Sequence, residues 1–337
     1  MLSFEDQLII YLYSYIPAFL LALFFWWMDR FEREPILLVV AAFLWGSFGA
    51  GLLSYFWNSF IHFGLQYLEQ SQGNEMISAV VVAPFVEELT KGLFVLAVFK
   101  LGQVDNMTDG ILLGIAVGLG FAAGENAYYA LKMTYPLNGE LAMWENLWFR
   151  EIHTTLLHAS ATAVWGALIG YSRLVKSGAK IFTILNGFVL AMVTHGFWNF
   201  MATAAGYYSS RDNVVHLLMR AELFIIFGLL LSLFLYSVFT ESRLIIQELL
   251  EESLNGIIPE EHVGFFASMV RHPAKYKLPR KTRPETYAKL GVALAFRKHE
   301  YRTNPTKTLL SEIQLLRSKL QIASEYQAET LNLHYGK

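Results

Sequence analysis

The chain has 337 residues, no cysteine and a formal net charge of −2. Hydrophobic residues make up 55% of it and charged residues 16%, whereas soluble domains carry about 25% charged residues. This composition excludes a disordered chain, a disulfide scaffold and a nucleic-acid-binding domain. The lack of cysteine also excludes a thiolate nucleophile and a cysteine-ligated metal.

Long apolar stretches dominate the first 240 residues. Seven of them meet or approach the roughly 20 apolar residues that a membrane-spanning helix needs. They cover residues 8–28, 36–57, 77–99, 109–133, 150–172, 180–205 and 217–239. The first is not a cleaved signal peptide, because it lacks a basic leading segment and is too long. Closely spaced glycines between residues 110 and 124 predict helices that approach each other closely. The sequence therefore predicts an all-α, polytopic transmembrane bundle of about seven spans.

The distribution of Lys and Arg predicts the orientation, because cytoplasmic loops carry an excess of both. Basic residues occur in the loops after spans one, three and five and in the tail, which places the N-terminus outside and the C-terminus in the cytoplasm of a cell membrane. The loop with Lys132 and Arg150 fits this assignment least. We expect a transmembrane domain over 1–240 and a basic, helical cytoplasmic tail over 241–337. In that tail, 241–254 is expected to form a separate amphipathic helix.

The tail is strongly basic in one segment. Residues 271–307 contain 11 Lys and Arg against two Glu. Near anionic membrane lipid each basic residue contributes about 1 kcal/mol of attraction. Contact with membrane lipid is therefore the first interpretation, and a regulatory or partner-binding role is the alternative.

Several ionisable residues lie inside the predicted spans, where each charge costs about 2.5–3.5 kcal/mol. They are Glu87, Glu88 and Lys91 in span three, Glu125 in span four, His158 in span five and His195 in span six. Measured from the outer ends of their helices, at about 1.5 Å per residue, Glu87, Glu125, His158 and His195 lie roughly 12–15 Å deep. A shared depth on four helices favours one functional site over scattered structural contacts.

The spacing within each helix suggests a chemistry. Glu87 and Glu88 lie four and three residues before Lys91, so either can pair with it. The other carboxylate is then available to hold a water molecule as a general base. His195 and Asn199 are four residues apart and share a face. The structural alternative is a buried ion pair that fixes helix register, with histidines bonded in the core.

These residues fall in motifs that resemble the PrsW family of intramembrane proteases. Residues 87–91 (EELTK) resemble that family's EExxK motif. Four further matches occur in order: Asp29-Arg30 with Glu34-Pro35, Glu125-Asn126 with Tyr129, Arg150 followed by His158, Thr162 and Gly166, and His195 with Asn199. The resemblance covers about residues 29–200 and implies that 1–240 is a PrsW-like protease domain.

The resemblance implies a role for each residue. One of Glu87 and Glu88 would activate water, His158 would assist, and His195 and Asn199 would polarise the scissile carbonyl. The residues expected to support them are Lys91, Glu125, Asn126, Tyr129, Arg150 and Thr162. The related CAAX-prenyl-protease and bacteriocin-immunity group has an FxxxH motif, which Phe149 and His153 match in spacing. His153 is therefore a rival to His158.

We expect hydrolysis without a metal cofactor, because the HExxH motif of many zinc proteases is absent. The alternative is zinc held by Glu87, Glu88, His158 and His195. The resemblance further implies a membrane-protein substrate, and specifically site-1 cleavage of an anti-sigma factor on the outer side. No nucleic-acid partner is expected.

Three other functions are compatible with parts of the pattern. An ion- or proton-coupled transporter would spread ionisable groups through the membrane instead of placing them in one layer. A non-catalytic scaffold or receptor would not need Glu87 and Glu88. A CAAX-type prenyl-protein protease would need a site that faces the cytoplasm, which disagrees with the predicted depth.

Overall fold

The computed structural model describes residues 2–332 except 30, 32, 69–71, 208–212, 269–272, 277, 280 and 281. Arg30 of the predicted motifs lies outside the described residues. Within them the chain is helical and contains no strand, which confirms the predicted fold class. In chain order the α-helices are α1 (Phe4–Met28), α2 (Ile36–Leu44), α3 (Gly51–Leu68), α4 (Gln72–Ile77), α5 (Ala83–Lys100), α6 (Met107–Tyr128), α7 (Tyr135–Tyr171), α8 (Lys180–Tyr207), α9 (Asn213–Leu254), α10 (Glu260–Phe266), α11 (Pro284–Thr303) and α12 (Lys307–Asn332).

Five helical segments of the described chain are long and apolar enough to cross a membrane. They are Phe4–Met28, Ile36–Gly64, Met107–Tyr171, Ser177–Ala204 and Leu217–Leu254. The third contains the predicted spans four and five, and its backbone leaves helical geometry at Gly139, where φ is 82°. The predicted third span is helical over the end of α4, residues 78–82 and α5, but it is not among these five segments. The protein is thus a helical membrane protein, and the number seven stays a prediction.

Three of the long helical stretches contain a wider, π-helical turn. These π turns cover Trp45–Ala50 between α2 and α3, Ser78–Val82 before α5, and Tyr129–Thr134 after α6. A π turn shifts the hydrogen-bond ladder by one residue and is often found at functional sites. The second and third of these turns flank α5 and α6, which carry the three predicted carboxylates.

Glycines bring α6 into backbone contact with α7. A Cβ added to Gly110 would lie 2.0 Å from the carbonyl oxygen of Gly166, and one added to Gly118 would lie 2.4 Å from that of His158. Real Cβ atoms do not approach so closely, so these positions require glycine. The predicted close approach is confirmed, and it brings Glu125 of α6 beside His158 of α7.

The chain divides into two compact units. The first comprises Met1–Trp26, Glu34–Ser172 and Ile181–Phe234, and the second comprises Trp27–Arg33, Arg173–Lys180 and Leu235–Lys337. The prediction of a separate helix over 241–254 is wrong in one respect. These residues are helical, but they form the end of α9. The charged residues that follow the apolar span do not interrupt the helix, which stops before Gly256 (φ 71°).

The second unit has its own core and its own buried charges. Phe265, Phe266 and Tyr287 are fully buried in it. The ammonium of Lys298 on α11 is buried and lies 2.9 Å from Glu251 and 2.6 Å from Glu252, both at the end of α9. The tail helices are therefore packed structure. The predicted boundary between residues 240 and 241 stays a prediction.

Candidate active site

Four helices of the first unit contribute to one cluster of polar side chains, in which all but Glu125 are buried. α5 contributes two carboxylates and an ammonium, α6 a carboxylate, α7 an imidazole and a hydroxyl, and α8 an imidazole. The residues are Glu87, Glu88, Lys91, Glu125, His158, Thr162 and His195. The side chains of Glu88 and Lys91 have no exposed surface, so water does not compete for their contacts.

Glu88 is held by three donors. The Lys91 ammonium lies 2.5 Å from its Oε1, and His195 Nδ1 lies 2.9 Å from the same oxygen. The hydroxyl of Thr162 donates to Oε2 over 3.0 Å. These contacts occupy both oxygens and stabilise the charged carboxylate. Glu88 is therefore the buried counter-ion of Lys91 and the acceptor that orients His195.

His158 joins Lys91 to Glu125. Its Nδ1 lies 3.1 Å from the Lys91 ammonium, and its Nε2 lies 2.9 Å from Glu125 Oε2. An ammonium can only donate, so Nδ1 must accept and Nε2 must carry the proton that it donates to Glu125. Both ring nitrogens of a neutral His158 are thus occupied, and the ring orients Lys91.

Glu87 and His195 leave acceptors without donors. Because His195 Nδ1 donates to Glu88, its Nε2 carries a lone pair, and this atom faces Glu87 Oε2 at 3.7 Å. Glu87 Oε2 is buried and has no hydrogen-bond partner. The other oxygen, Oε1, accepts from Asn58 Nδ2 over 3.3 Å. The side-chain oxygen of Asn58 is likewise buried without a partner. Such a group of acceptors suits a molecule that donates hydrogen bonds, such as water.

Sequence reasoning missed Asn58. It lies on α3, one residue beyond the predicted second span 36–57, and belongs to none of the motifs. The depth signal that identified the other residues did not apply to it, because the apolar helical segment continues to Gly64, beyond the predicted end of the span.

A second group of contacts fixes Glu125. Arg150 donates from Nη2 to Glu125 Oε2 over 2.7 Å and from Nε to Asn126 Oδ1 over 3.0 Å. Its guanidinium also lies 3.9 Å from the centre of the Tyr129 ring. Thr154 donates to the same Asn126 oxygen over 2.9 Å. Three predicted supporting residues and Thr154, which was not predicted, thus hold Glu125 toward His158.

Two predicted candidates lie outside this cluster. His153 stacks on Phe149 with ring centres 4.0 Å apart, and its Nδ1 bonds the Phe149 carbonyl over 2.9 Å. It is His158, and not His153, that faces the carboxylates. Asn199 donates from Nδ2 to the backbone carbonyl of Ala79 over 2.9 Å.

The cluster fits a metal ion only in part. Glu87, His158 and His195 offer ligand atoms within 4.8 Å of one another, and two histidines with a glutamate form known catalytic zinc sites. Glu87 and His195 present open lone pairs. His158 does not. Coordination through Nδ1 would displace the Lys91 ammonium from that atom. Coordination through Nε2 would move the ring proton to Nδ1, which could then no longer accept a hydrogen bond from Lys91. The fourth predicted ligand, Glu88, already has three donors.

Comparison with known proteins agrees with the motifs. A family model described as PrsW family intramembrane metalloprotease matches residues 34–237. Protease PrsW of Bacillus subtilis is 25% identical over 189 residues, which cover 56% of this chain and 80% of the relative. Protease PrsW of Geobacillus kaustophilus is 27% identical over 199 residues, covering 57% and 80%. Protease PrsW of Shouchella clausii is 33% identical over 132 residues, covering 39% and 56%. No solved structure matches the chain. The chain belongs to the PrsW family of intramembrane proteases.

Proposed function

We propose that the protein is a glutamate-dependent endopeptidase and that Glu87 is its general base. One observation carries the proposal. Glu87 Oε2 is buried without a donor and faces His195 Nε2 at 3.7 Å, whereas both oxygens of Glu88 are engaged. Of the two adjacent carboxylates, only Glu87 is available to bind a reactant.

The proposed reaction begins with a water molecule that donates one hydrogen to Glu87 Oε2 and the other to His195 Nε2. Its oxygen then has lone pairs directed away from both residues, toward a substrate carbonyl. Glu87 takes a proton as the water oxygen bonds to the carbonyl carbon. When the carbon–nitrogen bond breaks, Glu87 gives this proton to the amine. A positioned base of this kind contributes about 10²–10⁴-fold to the rate.

The other buried groups position this pair. Glu88 accepts a hydrogen bond from His195 Nδ1 and so stabilises the tautomer in which Nε2 is an acceptor. Lys91 balances the negative charge of Glu88. His158 orients Lys91 and is itself tied to Glu125. In this proposal His158 is a positioning residue, in contrast to the assisting role that the resemblance implies.

The proposal assigns the activation of water to protein groups. A zinc ion held by Glu87, His195 and His158 would supply an acidified water instead. The hydrogen bond between Lys91 and His158 supports the metal-independent route, because it occupies the histidine that such an ion needs.

The test compares new protein N-termini in membranes of cells that express wild type, Glu87→Gln or the matched control Glu145→Gln. Glu145 is exposed, so its substitution keeps the chemistry of the change but leaves the cluster intact. We expect cleavage products with wild type and the control, and their loss with Glu87→Gln at equal expression and membrane insertion. Identical N-termini in all three would overturn the proposal and favour a non-catalytic scaffold.

For substrate and orientation we propose a single-span membrane protein, such as an anti-sigma factor, that is cleaved near the outer end of its span. The family resemblance supports this substrate class. The distribution of Lys and Arg supports an N-terminus outside and a C-terminus in the cytoplasm. Impermeant labelling of single cysteines at each terminus tests the orientation, since the chain has no cysteine of its own.

A further inference from the structure

The π turn Ser78–Val82 leaves a backbone carbonyl without a backbone donor. In this turn the N–H of Ala83 bonds the carbonyl of Ser78, five residues earlier. The next N–H in the ladder would serve Ala79, but residue 84 is proline and has none. A carbonyl without a donor costs about 1–3 kcal/mol when water does not replace the donor. Ala79 therefore needs a donor from outside its own helix.

α8 supplies that donor. Asn199 Nδ2 bonds the Ala79 carbonyl over 2.9 Å. At Gly196 the absence of a side chain lets α8 approach the same turn, because an added Cβ would lie 2.6 Å from the Val80 carbonyl oxygen. The adjacent His195 belongs to the catalytic pair, and Glu87 follows Ala79 by eight residues. Helix α8 thus contacts both the π turn, through Asn199, and the proposed base, through His195.

We propose that the Ala79 carbonyl is a docking subsite for the backbone of the substrate. In the free protein the amide of Asn199 occupies the place of a substrate N–H. On binding, an N–H of the substrate takes over the bond to Ala79, and the released amide of Asn199 bonds a substrate carbonyl. This inference rests on the proposed proteolysis, for which it names the form of the substrate.

The chemistry selects an extended segment. In a helix nearly every N–H is already bonded within the helix, whereas an extended segment presents free N–H groups. A span that is unwound near its outer end therefore provides the donor that Ala79 requires. The π turn can be reached by such a segment, since Ala79 itself is partly exposed and Val81 of the same turn is 52% exposed.

The bond between Asn199 and Ala79 is tested first, in full-length protein carrying Val80→Cys as its only thiol. We measure the rate of maleimide labelling in wild-type background, Asn199→Ala and Asn186→Ala. Asn186 is the matched control, because its amide bonds the carbonyl of Phe182 on its own helix. Loss of one hydrogen bond predicts about a five- to tenfold faster labelling in Asn199→Ala and no change in the control.

Pro84→Ala provides a second background, because it restores a backbone N–H to the turn. Asn199→Ala is then expected to raise labelling less than twofold. An equal rise in both backgrounds, or no rise in either, would overturn the assigned role of Asn199.

Docking is tested in a Glu87→Gln background that also carries Val80→Cys, so that its outcome does not depend on cleavage. The probe is a synthetic single-span Leu/Ala peptide with flanking lysines and a Gly-Gly break near one end. We expect it to slow labelling of the introduced thiol at least threefold. The same peptide with N-methyl groups over the break keeps its side chains but lacks the N–H donors, and we expect no protection from it. Equal protection by both peptides, or protection by neither, would refute the subsite.

Discussion

Replacing Lys91 tests the buried charge network that the proposed mechanism requires. Its side chain is fully buried, with its ammonium 2.5 Å from Glu88, 3.1 Å from His158 and 4.4 Å from the centre of the Phe121 ring. Lys91→Met keeps most of the apolar stem and removes the charge. Glu88 then remains buried with two neutral donors and no cation. Breaking a buried ion pair from one side costs about 3–5 kcal/mol.

That loss is large enough to measure by heating. With an unfolding entropy of about 2.1 cal/mol/K per residue, each kcal/mol lowers the midpoint of thermal unfolding of a chain of this size by about 1.4 °C, so Lys91→Met should lower it by about 4–7 °C. The assay is the fraction of monodisperse full-length protein in detergent after heating. Lys132→Met is the matched control, because Lys132 is exposed, and we expect its midpoint to equal that of wild type.

The double variant Lys91→Met/Glu88→Gln separates charge from packing. With both charges removed, the cost of a lone buried carboxylate disappears, and most of the lost stability should return. Cleavage should stay slow. A carboxylate at residue 88 requires the proton of His195 to be on Nδ1, whereas an amide can bond either tautomer, so Nε2 is no longer kept as the acceptor for water. A single variant as stable as wild type, or a double variant as unstable as the single one, would refute this account of the network.

Three other perturbations test the metal-independent route, the glycine contacts and the buried ammonium of the second unit. If His158 is occupied by Lys91 as described, cleavage by purified protein persists after dialysis against a chelator; loss of activity that zinc restores would contradict the metal-independent route. Gly110→Ala forces α6 away from α7 and should cost about 1–3 kcal/mol in thermal unfolding. Gly228→Ala, with no atom within 4 Å of its added Cβ, should be neutral or slightly stabilising. Lys298→Met should make the tail helices sensitive to limited proteolysis, unlike Lys289→Met at an exposed position; equal digestion would argue against a structural role for the buried ammonium.

The sequence is sufficient to predict the helical membrane fold and the proximity of Glu87, Glu88 and Lys91, because helical periodicity fixes contacts within one helix. It is not sufficient to decide which glutamate is free. Both lie within one turn of Lys91, and the difference between them comes from His195 and from Thr162 on other helices. Contacts between helices depend on how each helix is rotated, which spacing within a helix does not determine.

The hydrogen-bond partners of Asn199 and Asn58 were also not predictable from the sequence. The spacing of His195 and Asn199 predicts a shared face, yet their partners differ: one bonds Glu88 and the other a carbonyl of the π turn. That carbonyl needs a donor only because Pro84 follows the turn. A wide turn has no clear sequence signal, so neither the carbonyl nor its partner was predictable.

The charges of the cluster explain why Glu87 is suited to accept a proton. Three carboxylates, Glu87, Glu88 and Glu125, share the site with two permanent cations, Lys91 and Arg150. Each cation contacts one of the other two carboxylates, which leaves Glu87 as the excess negative charge. When Glu87 takes a proton from water, the formal charge of these five groups rises from −1 to zero, and the negative charge passes to the oxygen atoms on the substrate carbon. The same arrangement makes the proton available again, because the leaving amine is the strongest base that forms next to it. The network thus keeps the proton-accepting carboxylate, Glu87, beside the free Nε2 of His195.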